Sequence, residues 1–308
     1  MNSEQSTAVA ETTTTWPPRV RFPAEAAETL AAALTRWRIE DLEDEQSQQR
    51  ARDQLCHDVP QLRAVLATAA QALHHDDAVV VEALPAVDVA LVIAASAMGV
   101  PTTEDNGNPG SLVWDVRQEP PPEPATSDTP AARAPTRPDA LPLHTDSAHL
   151  DRPHAVAALA CVEPAQEGGI SVLVPIDRVV EALHVERGPR PVELLREACF
   201  PFASVSRDGQ PVRYHPILDV AGERVVVRCS PLLRWGLRLA PLGPEHRAAL
   251  DTFDAFLRRP ELHTRLRLVA NDFLVFNNRT IVHGRTEITE GGSRHLKRLK
   301  LHSFGSRA

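Results

Sequence analysis

Cysteine is scarce and scattered. Cys56, Cys161, Cys199 and Cys229 contain no C-x-x-C pair, which sets aside dithiol redox motifs and disulfide scaffolds and leaves reduced core thiols in a cytosolic protein. Glycine is sparse as well, 14 of 308 residues, and neither G-x-G-x-x-G nor a Walker-type loop occurs. Gly168-Gly169 stands alone and makes no phosphate cradle. Long apolar runs are missing. The longest, near residues 89–100, falls short of the ~20 residues that cross a bilayer and reads as a buried helix. The start, Met1-Asn-Ser-Glu-Gln-Ser-Thr7, has neither a basic cluster nor an apolar stretch, so no secretory signal is expected and a cytoplasmic location is. Positive charge is in deficit, with a net charge of −8 and pI near 5.9, which argues against nucleic-acid and anionic-membrane partners. No internal repeat is present.

Proline, by contrast, is abundant, at 27 residues. Residues 1–16 are polar and Thr-rich, and a disordered tail is expected there. Residues 23–38 and 60–74 carry apolar side chains at helical spacing (Leu30, Leu34, Trp37; Leu62, Val65, Leu66, Ala69). Residues 78–84 form a β-branched run expected to be a strand, and 87–98 another helix. Between 102 and 142 the prolines of 118–130 exclude both sheet pairing and helix, because proline lacks a donor and fixes φ. This is a Pro-rich insert, either a solvated linker or a lid. Beyond it the chain is strand-rich, with candidates at 155–162, 171–174, 224–228, 272–276 and 279–283. Helical runs intervene at 176–183, 192–198 and 244–258. Strands so spaced, with irregular connections, suit a jelly roll better than a βαβ array.

Chemistry concentrates in two segments, Leu141-Pro-Leu-His-Thr-Asp146 and Asn277-Asn-Arg-Thr-Ile-Val-His-Gly-Arg285, each at the end of a strand-like run. They supply two imidazoles and one carboxylate, the ligand set of a facial triad that leaves three octahedral positions for a co-substrate and O2. His-x-Asp/Glu occurs five times in the chain, at His74, His75, His144, His149 and His184, so the short motif is weak alone. The pairs His74/Asp76 and His75/Asp77 read as a solvated helix end.

With Cys161-Val-Glu-Pro-Ala-Gln-Glu-Gly-Gly-Ile-Ser171 and Arg294-His-Leu-Lys-Arg298 added, the sequence resembles the Fe(II)/2-oxoglutarate dioxygenases of the taurine dioxygenase, γ-butyrobetaine hydroxylase and clavaminate synthase-like group. The likeness covers roughly residues 140–305. It implies an α+β fold with a double-stranded β-helix (jelly-roll, cupin-like) core and flanking helices. Residues 17–308 would form a single oxygenase domain, with the metal and co-substrate core at 143–308. Carried across by position, His144, Asp146 and His283 would hold Fe(II). Ser171 and Arg298 would hold the distal carboxylate of 2-oxoglutarate, and Arg294 would line the same anion pocket. Arginine suits that task because its planar fork holds a carboxylate through two hydrogen bonds. His149, Asp151 and Arg285 are candidate substrate contacts.

A carboxylate at position 146, where halogenating relatives carry a small residue, implies hydroxylation or desaturation. The chain departs from the family's usual Gly-Asp and Asp-Asn in having Asn271-Asp272 and Asn277-Asn278, at turn positions beside the metal strands. The expected substrate is a small polar metabolite, first a free or modified amino acid and next a specialised-metabolism intermediate, and the oligomeric state stays open. Two alternatives share the barrel: a Zn- or Mn-dependent hydrolase or isomerase, and a non-catalytic sensor of 2-oxoglutarate or iron.

Overall fold

Three consecutive valines, Val79-Val80-Val81, show how the protein is layered. All are buried, yet Val79 and Val81 pack with the N-terminal helices while Val80 packs with a different cluster on the other face. A strand puts alternate side chains on opposite faces, so a strand apolar throughout must be covered on both sides.

The computed structural model describes residues 16–104, 110–117, 137–203, 212–289 and 294–304. The expected tail, save Trp16, and the proline run at 118–130 lie outside them. The N-terminal part runs β1 (Arg19–Arg21), α1 (Ala27–Leu34), α2 (Glu45–Asp58), α3 (Pro60–Asp76), β2 (Ala78–Glu82), α4 (Asp88–Ser96), β3 (Gly99–Thr102) and β4 (Trp114–Arg117). Helix α3 starts on a proline at its first turn and ends where Asp77 adopts φ 60°, a left-handed stop. The end is not merely solvated as expected, because the Asp77 carboxylate accepts from Asn277 Nδ2 (2.8 Å) and pairs with Arg224.

The second half runs β5 (Leu141–His144), β6 (Val156–Glu163), β7 (Ser171–Pro175), α5 (Ile176–Arg187), α6 (Arg190–Leu195), β8 (Phe200–Phe202), β9 (Arg213–His215), β10 (Leu218–Ala221), β11 (Arg224–Val227), α7 (Leu233–Leu239), α8 (Pro244–Leu257), β12 (Thr264–Leu266), β13 (Phe273–Asn277), β14 (Ile281–Arg285) and β15 (His295–Phe304). Two sheets result. The larger has seven strands, in the order β1-β2-β13-β6-β15-β3 with β4 also on β15. The smaller has four, in the order β12-β7-β14-β5. Except for the parallel β1–β2 pair, every pairing is antiparallel.

Three apolar clusters hold the layers. One joins α1–α4 to the outer face of the large sheet through Val79, Val81, Ala158, Phe273, Val275 and Leu299. A second joins α5, α6 and α8 to the outer face of the small sheet through Val172, Val174 and Val282. The third lies between the sheets, where Val80, Leu274, Phe276 and Leu296 meet Leu173, Leu266 and Ile281. Each such Val, Leu or Phe contributes roughly 1.5–3 kcal/mol of burial. The architecture is thus a mixed helix-and-sheet sandwich, whose inner cluster passes at one end into polar side chains.

Candidate active site

β5, the turn that follows it and β14 bring together three metal-ligating side chains, two imidazoles and one carboxylate. His144 and His283 are directly opposed across the antiparallel β5–β14 pair, and their ring centroids lie 4.3 Å apart. Asp146 follows two residues after His144, with its Oδ1 3.9 Å from His144 Nε2. One donor atom from each residue lies within 4.8 Å of the others. His144 Nδ1 is bonded to Pro142 O at 2.9 Å, which turns Nε2 into the site, as a backbone carbonyl commonly orients a metal-binding histidine. His283 rests on Phe276, centroid to centroid 4.7 Å.

The electrostatics fit a cation-binding centre. Burial, reinforced by His144, holds His283 down at about 3, and burial also lowers His144. Both imidazoles are therefore neutral ligands at pH 7. For Asp146 burial pushes upward, but Arg298, Lys300 and the two histidines together depress its carboxyl far below the usual range. The Arg298 guanidinium lies 3.3 Å from Asp146 Oδ1 and 4.3 Å over the Trp114 ring. Asp146 Oδ2 and His283 Nδ1 are buried with no hydrogen-bond partner among the described residues. A buried carboxylate oxygen without a partner is costly, and a bound divalent ion at this position would satisfy it. The donor set of two imidazoles and one carboxylate fits ferrous iron.

Asn278, which the motif reading treated only as a departure, positions this ligand. It is fully buried. Its Oδ1 accepts from Asp146 N (2.7 Å), and its Nδ2 donates to Asp146 O (3.0 Å) and His154 O (2.9 Å). Lys300 also went unnoticed. It is buried on β15, and its Nζ donates to Ser147 Oγ at 3.0 Å. Alternation from Arg298 along a strand was the available signal for it.

Ser171 and Arg294 line one small pocket together with Gly168, Gly169, Cys161 and Arg267. Arg294 is buried, and its guanidinium is lowered to about 10 by burial first and by Arg285 next. No carboxylate among the described residues pairs with it. Gly169 (φ +61°) makes room for it, since a Cβ there would sit 2.8 Å from Ala165 Cβ and 3.3 Å from Arg294 Cδ.

The expected substrate contacts separate. Asp151 is an exposed carboxylate paired with Arg213 (2.7 Å) and His215 (3.6 Å). Arg285 spends its Nη2 on Arg137 O (2.6 Å) and Asp139 O (2.7 Å), pinning the chain that enters β5. His149 is half-buried in the turn after Asp146. A cavity of about 970 Å3, lined in part by Arg285, lies apart from the ligand cluster. It lies outside the small sheet against α7 and α8, floored by Leu143, Val172, Leu233 and Phe253, and holds none of the three clustered ligands.

The family model for "Taurine catabolism dioxygenase TauD, TfdA family" matches residues 41–300. The chain belongs to that family. A 161-residue segment of this TauD/TfdA-family chain, 51% of its length, is 29% identical to the γ-butyrobetaine dioxygenase of Pseudomonas sp. (strain AK-1) and spans 42% of that relative. Among solved structures, asparagine oxygenase in complex with Fe(II), 2S,3S-3-hydroxyasparagine and succinate superposes with a TM-score of 0.70 at 20% identity, over 92% of this chain and 93% of the other. The non-haem iron oxygenase OrfP in complex with Fe and α-ketoglutaric acid superposes with a TM-score of 0.68 at 16% identity, over 93% and 94%. At these identities the likeness speaks for the fold.

Proposed function

We propose that this protein is an Fe(II)- and 2-oxoglutarate-dependent oxygenase that hydroxylates, or desaturates, an unactivated C–H bond of a small polar metabolite, in first place a free or modified amino acid. The observation that carries this reading is the buried cluster of His144, Asp146 and His283, in which one carboxylate oxygen has no protein partner. Iron bound there would bring co-substrate and O2 together and supply the oxidising power for C–H cleavage. The protein's own residues hold, orient and exclude water. Strands that leave one sheet for the other and return, β5 to β6 to β7 and β12 to β13 to β14 to β15, support a double-stranded β-helix core. Residues 17–308 act as its single domain.

We assign the two arginines differently from the resemblance, which gives Arg298 the distal carboxylate and Arg294 a place in the same pocket. Arg298 sits on Asp146 itself, at the metal end of the site, so its cation neutralises charge where a keto-acid group would approach. No carboxylate among the described residues pairs with the buried Arg294, which shares its pocket with Ser171. A buried cation without a counter-charge is strongly penalised, and the distal carboxylate of 2-oxoglutarate removes that penalty. Ser171 adds a hydroxyl donor. His149 remains the candidate substrate contact. The amino-acid preference rests on the kinship with proteins described with hydroxyasparagine, with L-arginine derivatives and as a butyrobetaine dioxygenase. Among the described residues no helix is long and apolar enough to cross a membrane.

The test is anaerobic addition of Fe(II) and then 2-oxoglutarate, read by the weak visible metal-to-ligand charge-transfer band. The band should form, vanish in His283→Ala, and need at least tenfold more 2-oxoglutarate in Arg294→Ala. Succinate release screened across amino acids then identifies the substrate. Fe(II) binding with no band at saturating 2-oxoglutarate overturns the reading in favour of a metal hydrolase.

A further inference from the structure

A second group of metal-ligand side chains lies where β15 leaves the site. His154, His302 and Glu104 each present one donor atom, and these atoms lie within 4.8 Å of one another. They come from three separate segments: the approach to β6, the end of β15, and the turn after β3. Glu104 Oε2 stands 3.5 Å from His302 Nε2, close to the roughly 3.3 Å that separates donors around a tetrahedral zinc ion with bonds of about 2.0–2.1 Å. The rings of His154 and His302 are 5.5 Å apart at 35°.

His154 is the telling member. It is buried, whereas Glu104 and His302 are exposed. Its backbone is anchored, since His154 O accepts from Asn278 and the next residue, Ala155, donates to Leu301 O at 3.0 Å. Its Nδ1 is 2.7 Å from Ser147 Oγ, so Nε2 is the nitrogen directed to the cluster. Ser147 Oγ also accepts from Lys300. A hydroxyl oxygen has two lone pairs, so it can accept from Lys300 and from His154 Nδ1–H together. That tautomer leaves a lone pair on Nε2, and one ring nitrogen hydrogen-bonded while the other faces outward is the habitual state of a metal-bound histidine.

We propose that His154, His302 and Glu104 form a second, surface-facing site for a divalent transition ion of the zinc class, with its remaining position open to solvent. Two neutral imidazoles and one carboxylate are a recognised zinc ligand set. The ion would clasp the end of β15 to the turn after β3. Because His154 reaches Ser147, the residue next to Asp146, it would fix the tautomer of a histidine one hydrogen bond from the loop that carries the iron ligand.

The test is equilibrium dialysis of the full-length protein against Zn(II), with bound metal counted by elemental analysis. Wild type should bind two equivalents. Glu104→Gln/His302→Ala, which alters exposed side chains only, should bind one while retaining the Fe(II)–2-oxoglutarate charge-transfer band. His283→Ala should keep the equivalent that the double variant loses. Equal counts in wild type and Glu104→Gln/His302→Ala overturn the proposal, whether that count is one or two. Failure of the charge-transfer band in every protein would sink the oxygenase reading and leave this difference in stoichiometry intact.

Discussion

Asn278 shows how much of a candidate metal centre can rest on a residue that offers it no ligand. It holds both backbone groups of Asp146 and the carbonyl of His154 through one amide. Removing it strands three buried polar groups, each worth about 1–3 kcal/mol when unsatisfied. Asn278→Ala should therefore lower the denaturation midpoint. It should also weaken Fe(II) binding roughly 10–100-fold, the usual effect of losing a partner that orients a ligand. Asn278→Asp keeps the acceptor for Asp146 N but loses the donors, and should fall between. Fe(II) titration of the three proteins checks the order. That His144, Asp146 and His283 would come together was legible only through the family's spacing, since His-x-Asp/Glu by itself occurs five times in the chain. Asn278 was not, since an amide that bonds backbone has no partner visible in the sequence.

Among the elements, β14 depends on one glycine. A Cβ on Gly284 would come within 2.8 Å of Leu141 O and 3.2 Å of Leu143 Cδ2, both on β5. Gly284→Ala must push β5 away and carry His144 off His283. A cost of about 1–3 kcal/mol is expected for such overpacking, with a larger loss of metal affinity than of stability. Circular dichroism melts beside Fe(II) titration would show it. Strand β15 is the other critical element. From Leu296 to Lys300 its even-numbered residues face inward, Arg298 to Asp146 and Lys300 to Ser147, while His302 continues the same side out to the surface beside Glu104. The odd-numbered Leu299 and Leu301 face the helices. The sequence shows this poorly because cations replace the apolar half of the alternation. Helix α2 was missed for a related reason. Its buried face is Ser47, Gln48, Ala51, Leu55 and Cys56, too polar for periodicity, and its start is set by Asp44 accepting from Ser47 N at 2.8 Å. The prediction for β15 is direct: one residue inserted between Lys297 and Arg298 flips every later side chain to the opposite face, takes both cations off the site and should abolish the Fe(II)–2-oxoglutarate charge-transfer band.

For the molecule as a whole, the histidines set the pH response of the metal-free state. In the unfolded chain an imidazole takes up its proton near pH 6.5, whereas His283 in the fold does so only at about 3. The folded pKa is the lower one, so stability is full above pH 6.5 and is lost as pH falls toward 3. His283 alone should cost on the order of 1 kcal/mol by pH 5.5. Thermal melts of metal-free protein at pH 7.5 and 5.5 should show that drop, reduced in His283→Gln; an unchanged melting temperature would refute it. The layered plan was readable in outline, since strand runs and amphipathic helices declare which faces are apolar. Which strand joins which sheet was not, because pairings such as His283 with His144 span most of the second half of the chain. That separation has a consequence for biosynthesis. His144 and Asp146 leave the ribosome long before β14 does. A nascent chain therefore cannot assemble the proposed ligand set until His283 has emerged, and the earlier two ligands must wait unpaired while more than a hundred residues are added.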